Sequence, residues 1–289
     1  MALDSHADVP TLDRRADPMA LLSEQDASRL ADLVPIRHGR MSATAFTFYR
    51  GAAAIMASDL SLLPRTTLQV QLCGDAHLSN FGVYNGPDRR LVFDLNDFDE
   101  TLPGPFEWDV KRLAASVVVA ARNKDISDRK GGLAARAAVA GYRRVINEIA
   151  GLDPLAVRYH RIEFEAMVAQ LDKKRRKRNE SAAAKARKRN SLRAFDRLTE
   201  TIDGTRRIVD DPPLLTRLDN HRQPATDAVE DFFGRYLASL PLAWRRVLER
   251  YQIVDVAHKV VGVGSVGTRC LIVLLATGDD EPLFLQFKE

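Results

Sequence analysis

Apolar residues recur at helical spacing from Met19 to Val34 and again from Ser42 to Leu60, which predicts two helices with Pro35 and Pro64 marking their ends. The pattern then changes to alternation in Leu68-Gln-Val-Gln-Leu72, a strand that runs into a polar loop from Cys73 to Asn80. Phe81 to Tyr84 and Leu91 to Leu95 flank Asn85-Gly86-Pro87-Asp88, a turn signal, so a hairpin is expected next. Beyond Pro103-Gly104-Pro105 the helical period returns, and Glu107 to Arg122, Ser127 to Ala150, Asp153 to Leu171 and Thr226 to Tyr251 are predicted helices. From Ile253 the character becomes β-rich in three runs separated by glycines: Ile253 to Val261, Cys270 to Ala276 and Leu283 to Phe287. Helices and a hairpin first, then a sheet, make the class α+β. The expected organisation is a flexible leader and first helix over 1–36, a helix-rich large lobe over 37–251 and the start of a β-rich lobe over 252–289. The chain stops at Phe287-Lys288-Glu289 without a turn, cap or closing helix, which reads as a truncated lobe.

Composition narrows the class without naming a function. With 45% hydrophobic and 28% charged residues the chain can bury one large core or two modest ones. The longest apolar run, Leu113 to Ala121 with Ser116 inside it, is far shorter than the roughly 20 residues a membrane span takes. The first eighteen residues lack an apolar signal core. Cys73 and Cys270 are too few and too far apart for a disulfide framework or a zinc site, so a soluble protein of the reducing cytoplasm is expected. A net charge of +4 conceals one concentrated basic segment: Lys173 to Arg193 holds eleven Lys or Arg against a single acid, Glu180. It reads as an exposed helix or linker. Nucleic acid or an anionic surface is a lesser reading, because no aromatic residue for base stacking occurs there before Phe195.

Chemistry concentrates between Cys73 and Glu100, where six acidic side chains fall within twenty-eight residues. Gly74-Asp75-Ala76-His77-Leu78-Ser79-Asn80 places an Asp five residues before an Asn, and the following hairpin delivers Asp94, Asp97 and Asp99. Phosphoryl transfer needs a carboxylate near the acceptor hydroxyl, hard oxygen ligands for Mg²⁺ and donors around the phosphates. Asp75 is the candidate for the first task, and Asn80 with one hairpin carboxylate for the second. Any one of these residues is also what a polar turn would contain; the combination is what points to chemistry. Val261 to Thr268 contains Gly262-x-Gly264-x-x-Gly267 between two strand-like runs. A dinucleotide fold would open a helix at the third glycine, whereas Cys270 to Leu275 continues as strand, so a hairpin tip over phosphates is the better expectation. Lys288 on the next strand can reach the same phosphates. Arg50, inside the otherwise apolar stretch Ala43 to Met56, reads equally as an anion or ion-pair partner and as a helix-surface arginine.

These residues carry a resemblance. GDAHLSN resembles the catalytic loop of aminoglycoside phosphotransferases and related kinase-like enzymes, and NDFDETLPGPFEWDVKRLAAS resembles their metal-binding segment and the helix after it. The glycine hairpin and Lys288 resemble the kinase small lobe, but they follow the loop by about 190 residues, the reverse of the kinase order, so the chain looks circularly permuted. With Phe48-Tyr-Arg50-Gly51 and the basic middle, the whole resembles the bacterial domain of unknown function 2252 from about Arg37 onward. The resemblance implies a two-lobe kinase-like fold, ATP and Mg²⁺ as cofactors, Asp75 as catalytic Asp, Asn80 as metal-binding Asn and Lys288 as phosphate-binding lysine. For the metal Asp, counting back from Asp109 favours Asp97 and counting forward from Asn80 favours Asp94; Asp97 is preferred, Asp94 next, with Asp99 a second ligand. Cys73 stands where such loops carry His. The implied activity is an ATP-dependent phosphotransferase of unknown acceptor; the alternatives are a nucleotide-binding protein without turnover, or a fragment, and below these a metallophosphoesterase.

Overall fold

The structure is a computed structural model that describes residues 6–177 apart from 8 and 12, together with 180, 191–218 and 223–289. Most of the basic segment Lys173 to Arg193 lies outside the described residues. The chain divides into two compact units, Met1–Arg187 and Lys188–Glu289. Mixed helices and strands agree with the α+β class.

The first unit opens with helices α1 (Pro18–Ala27), α2 (Val34–Ser42), α3 (Ala45–Gly51) and α4 (Ala53–Ser61). Pro35 does not end the first helix as expected but sits in the first turn of α2, where its missing N–H costs nothing. The expected Ser42 to Leu60 helix is divided by Thr44, which caps α3: Thr47 N donates to Thr44 Oγ1 at 3.0 Å, and Thr44 N donates to Thr47 Oγ1 at 2.8 Å. Arg37, fully buried on α2, ties these helices together. It donates to Asp26 Oδ1 (2.7 Å) on α1 and to the carbonyl of Gly51 (3.2 Å) at the end of α3. A buried guanidinium is tolerable only with such partners.

Four short strands follow: β1 (Gln69–Leu72), β2 (Phe81–Asn85), β3 (Leu91–Leu95) and β4 (Leu102–Pro105). The expected hairpin is present, β2 pairing with β3 in the register Phe81↔Leu95 and Tyr84↔Val92. β1 pairs with β4, Leu72 opposite Leu102, a partner that the run Leu102-Pro-Gly-Pro105 conceals because alternation is absent. Next come α5 (Glu107–Arg122), α6 (Asp128–Ala150), α7 (Pro154–Tyr159) and α8 (Phe164–Ala169). The single helix expected from Asp153 to Leu171 is interrupted, since Glu163 bridges Val92 and the Ile162 carbonyl accepts from Phe93 N at 2.9 Å. That contact seats Phe164 and Val168 on Leu91 as a small apolar core.

The second unit contains α9 (Ser191–Leu198), β5 (Thr199–Ile202), β6 (Thr205–Ile208), β7 (Leu215–Arg217), α10 (Gln223–Ser239), α11 (Leu242–Leu248), β8 (Gln252–Lys259), β9 (Cys270–Ala276) and β10 (Pro282–Lys288). The three expected C-terminal strands pair in the order β10-β9-β8, and β7 adds a fourth strand. The helix expected from Thr226 to Tyr251 breaks at Leu240-Pro241, as a proline without an N–H requires. Alternation sends Ala257, Ile272 and Leu274 to one face with Ile208 and Leu215, and Val256, Val273 and Leu275 to the other with Val229 and Phe233 of α10. The sheet thus draws on β7 and α10, both before residue 252, where the sequence placed its start. Among the described residues no helix is long and apolar enough to cross a membrane.

Candidate functional site

β1 delivers the chain into the loop from Cys73 to Asn80, and the loop turns at Gly74 with φ 81°. A side chain there would enter the backbone carbonyl of Glu100, so glycine is required both by conformation and by close approach. The loop closes in a short 3₁₀ turn, Leu78–Asn80, before β2. Its position is fixed from one side by α5, whose Asp109, Arg112 and Ser116 share a face at helical spacing. Asp109 accepts from Cys73 N (2.7 Å) and Gly74 N (3.1 Å), and Ser116 Oγ accepts from Leu78 N (2.9 Å). Glu107, the first residue of α5, accepts from Thr66 Oγ1 at 2.8 Å ahead of β1. An apolar helix therefore carries a polar stripe that holds the loop backbone.

Asp75 is 8% exposed and its carboxylate faces Arg112, which is 2% exposed. Arg112 Nε donates to Asp75 Oδ1 at 2.6 Å, and Nη2 donates to the same oxygen. The guanidinium lies 4.6 Å from the Tyr49 ring centroid, and it donates to the Tyr49 carbonyl at 3.0 Å. On its other side Asp75 Oδ2 meets His77 Nε2 at 3.4 Å. Burial raises the Asp75 carboxyl from 3.8 to about 6, against the lowering effect of Arg112 and with the help of Asp97. His77, also buried, is pushed down from 6.5 to about 4 by loss of water and by the charges of Arg50 and Arg112. The imidazole is therefore neutral near pH 7. Glu100 is pushed up to about 7 by desolvation and by Asp75, Asp97 and Asp99. Because its side chain keeps substantial contact with solvent, the like charges are the firmer cause.

Asn80 is buried and joins the two acidic segments. Its Nδ2 donates to the carbonyls of Asp75 and Asp97, both at 3.1 Å. Asp97 Oδ1 accepts from Asp99 N at 3.4 Å, and the charge of Asp97 acts on Asp75, His77 and Glu100. Asp94 lies elsewhere on the hairpin, exposed on β3 opposite Gly82, where its charge acts on Tyr84 and its Oδ1 accepts from Leu95 N at 2.8 Å. Cys73 is buried, its thiol raised to about 11 chiefly by burial. Its Sγ lies 3.6 Å from the Asp97 carbonyl and 3.5 Å from Asn80 Nδ2. Behind it an apolar cavity of about 210 Å³ is bounded by Ala76, Leu95, Leu113, Val139 and Tyr142. Among the described residues no three His, Cys, Asp or Glu side chains gather closely enough to hold a metal by themselves. Asn80 and Asp97 nevertheless suit Mg²⁺, which keeps several waters and takes only one or two protein oxygens beside phosphate.

In the second unit the glycine run joins β8 to β9, which pair as Ala257↔Ile272 and His258↔Leu271. Gly262 and Gly267 take positive φ, 66° and 91°, and the buried Val263 and Val266 anchor the loop from inside. Thr268 Oγ1 donates to the Ser265 carbonyl at 2.8 Å. Gly264 lies between these anchors. Lys288 ends β10 opposite Cys270, three residues after Gly267. Lys259, at the end of β8, was not among the sequence candidates; burial and the nearby Arg197 hold its ammonium below the ordinary lysine value.

A family model described as an uncharacterized protein conserved in bacteria, DUF2252, matches residues 29–289. The chain belongs to the DUF2252 family. The match covers the loop, α5, the glycine run and Lys288, and begins a little before Arg37. Searches of curated proteins and of solved structures gave no match. Within this DUF2252 chain the residues that sequence reasoning missed are Arg112, Tyr49, Ser116 and Glu107. One signal was present: three polar residues at helical spacing interrupt the apolar helix Glu107–Arg122.

Proposed function

We propose that this DUF2252 chain is a Mg²⁺-dependent phosphotransferase that uses ATP and has a circularly permuted kinase-like arrangement. The observation that carries the reading is Asp75, buried on a loop whose Asn80 is hydrogen-bonded to the Asp97 backbone, with a carboxyl raised to about 6. A base poised there takes a proton from a hydroxyl near neutral pH more readily than an ordinary Asp. The strand order β8, glycine loop, β9, β10 with a terminal lysine supports it too, being the order of a kinase small lobe. Bound Mg²⁺·ATP would supply the phosphoryl group and shield its charge. Asn80 and Asp97 would hold the cation through side-chain oxygens, the Asn80 amide nitrogen being engaged by backbone. Backbone groups of Gly262, Gly264 and Gly267, with the Lys288 ammonium, would hold phosphates. Asp75 accepts the proton of the acceptor hydroxyl as the new O–P bond forms and the bond to ADP breaks.

A second reading, nucleotide binding without turnover, draws on Arg112. Its two donations to Asp75 Oδ1 occupy one of the two carboxylate oxygens, and the other lies 3.4 Å from His77 Nε2, so both are engaged within the fold. Calorimetric titration with Mg²⁺·ATP tests the common part: Asp97→Asn is expected to weaken binding about tenfold, and Asp94→Asn to leave it unchanged. Equal affinity in wild type and Asp97→Asn would sink both readings. Phosphoryl transfer or ATP hydrolysis that disappears in Asp75→Asn, with binding retained, separates the first from the second.

A further inference from the structure

Arg50 is a charged residue beside this loop to which the phosphotransferase reading gives no task. On α3, Phe46, Tyr49 and Arg50 fall at helical spacing on one face. Phe46 meets the His77 ring edge-on at 6.3 Å, and Tyr49 lies against Arg112. That face is therefore applied to the catalytic loop. The positive charge of Arg50 is felt at both Asp75 and His77. Yet its Nε is buried without a hydrogen-bond partner, and among the described residues it makes no ion pair. The Arg37 Nε is unpartnered too, but the neighbouring buried arginines have their charges paired, Arg37 with Asp26 and Arg112 with Asp75. A partly buried guanidinium beside carboxylates but bound to none is expensive to keep, and its planar fork is shaped for an oxyanion. His77 Nδ1, buried and also unpartnered, faces the same shortage of partners.

We propose that Arg50 binds an oxyanion, phosphate or carboxylate, carried by the phosphate acceptor, so that the acceptor is a small acidic molecule. The assignment to the acceptor rests on the phosphotransferase reading; the anion site itself rests on Arg50 alone. The acceptor side is indicated because the α3 face that carries Arg50 packs on His77 and on Arg112, the two residues that flank the Asp75 carboxylate. A bidentate charge-assisted pair there would orient the acceptor hydroxyl toward Asp75.

The test titrates the full chain with inorganic phosphate and separately with Mg²⁺·ATP. Wild type is expected to bind phosphate, Arg50→Met to bind it about tenfold or more weakly, and Mg²⁺·ATP affinity to be the same in both. Arg50→Lys, which keeps the charge and loses the fork, should fall between them, and it decides the matter if the Met variant does not fold. Phosphate binding that is absent in wild type, or undiminished in the variants, overturns the anion site. A parallel fall in Mg²⁺·ATP affinity assigns the anion to the nucleotide and overturns the acceptor assignment. Failure of the phosphotransferase reading itself looks different: wild type then binds phosphate but not Mg²⁺·ATP.

Discussion

The loop around Asp75 and the C-terminal sheet are both well buried, but they are held by opposite means. In the loop, backbone N–H groups of Cys73, Gly74 and Leu78 are met by side chains of α5, and each of two buried charges, Asp75 and Arg112, depends on the other. In the sheet the ladder β10-β9-β8 satisfies the backbone, and the packing is mainly apolar on both faces, with the buried Asp255 of β8 accepting from Ile208 N at 2.8 Å as an exception. Removing one member of a polar network strands its partner, whereas truncating an apolar side chain loses contacts roughly in proportion to volume. Placing the candidate site residues in the first kind of environment fixes their positions, at a cost in tolerance.

The two tryptophans allow that contrast to be broken region by region, since Trp108 opens α5 and Trp244 lies on α11. Arg112→Met should have the largest effect, about 3–5 kcal/mol, by leaving Asp75 buried without its counter-charge. Urea unfolding followed through Trp108 in a Trp244→Phe background measures it; Arg112→Met with Asp75→Asn should recover part of the loss. Failure of the double variant to recover would mean that Arg112 acts through packing on Tyr49. Leu275→Ala, at a fully buried position of β9, should cost about 2–5 kcal/mol, read through Trp244 in a Trp108→Phe background. Gly74→Ala should cost about 1–3 kcal/mol, since it forces a side chain into the Glu100 carbonyl at positive φ. If it unfolds no earlier than wild type, the tight crossing of loop and hairpin is absent in solution.

The smallest effect is in pH. For Asp75, raised from 3.8 to about 6, the folded chain keeps a proton that the unfolded chain has lost, so its contribution to stability falls as pH rises through that window. For His77, lowered from 6.5 to about 4, the unfolded chain holds the extra proton, so stability rises with pH between those values. The two slopes oppose each other. His77→Gln should therefore steepen the loss of stability from pH 4 to 6, measured as denaturation midpoints, and an unchanged profile would show that His77 is not held neutral in the fold.

The sequence was most legible where one periodicity held without competition. Glu107–Arg122 and Cys270–Ala276 match their expected spans because a long apolar stripe and a β-branched run leave no second reading. It was least legible where a cap or a distant partner decided the outcome, as at Thr44, Pro241 and the β1–β4 pairing. The site shows the same division. Asp75, Asn80 and Asp97 were visible as residue types at suggestive spacing, and the structure brings them together through Asn80. Arg112 carried only the weak signal of its helical spacing for a physical reason: an arginine in a helix is usually at the surface, and only the fold reveals that this one is buried against a carboxylate.

Asn80 joins carbonyls that belong to residues twenty-two positions apart, Asp75 and Asp97, through a single amide nitrogen. The separation of those residues is thereby settled during folding, before anything binds. Whatever entropy is needed to bring two like-charged side chains to adjacent posts has already been spent. On the proposed reading a cation would not have to gather the two segments on binding, and a variant lacking that amide would be expected to leave them moving independently.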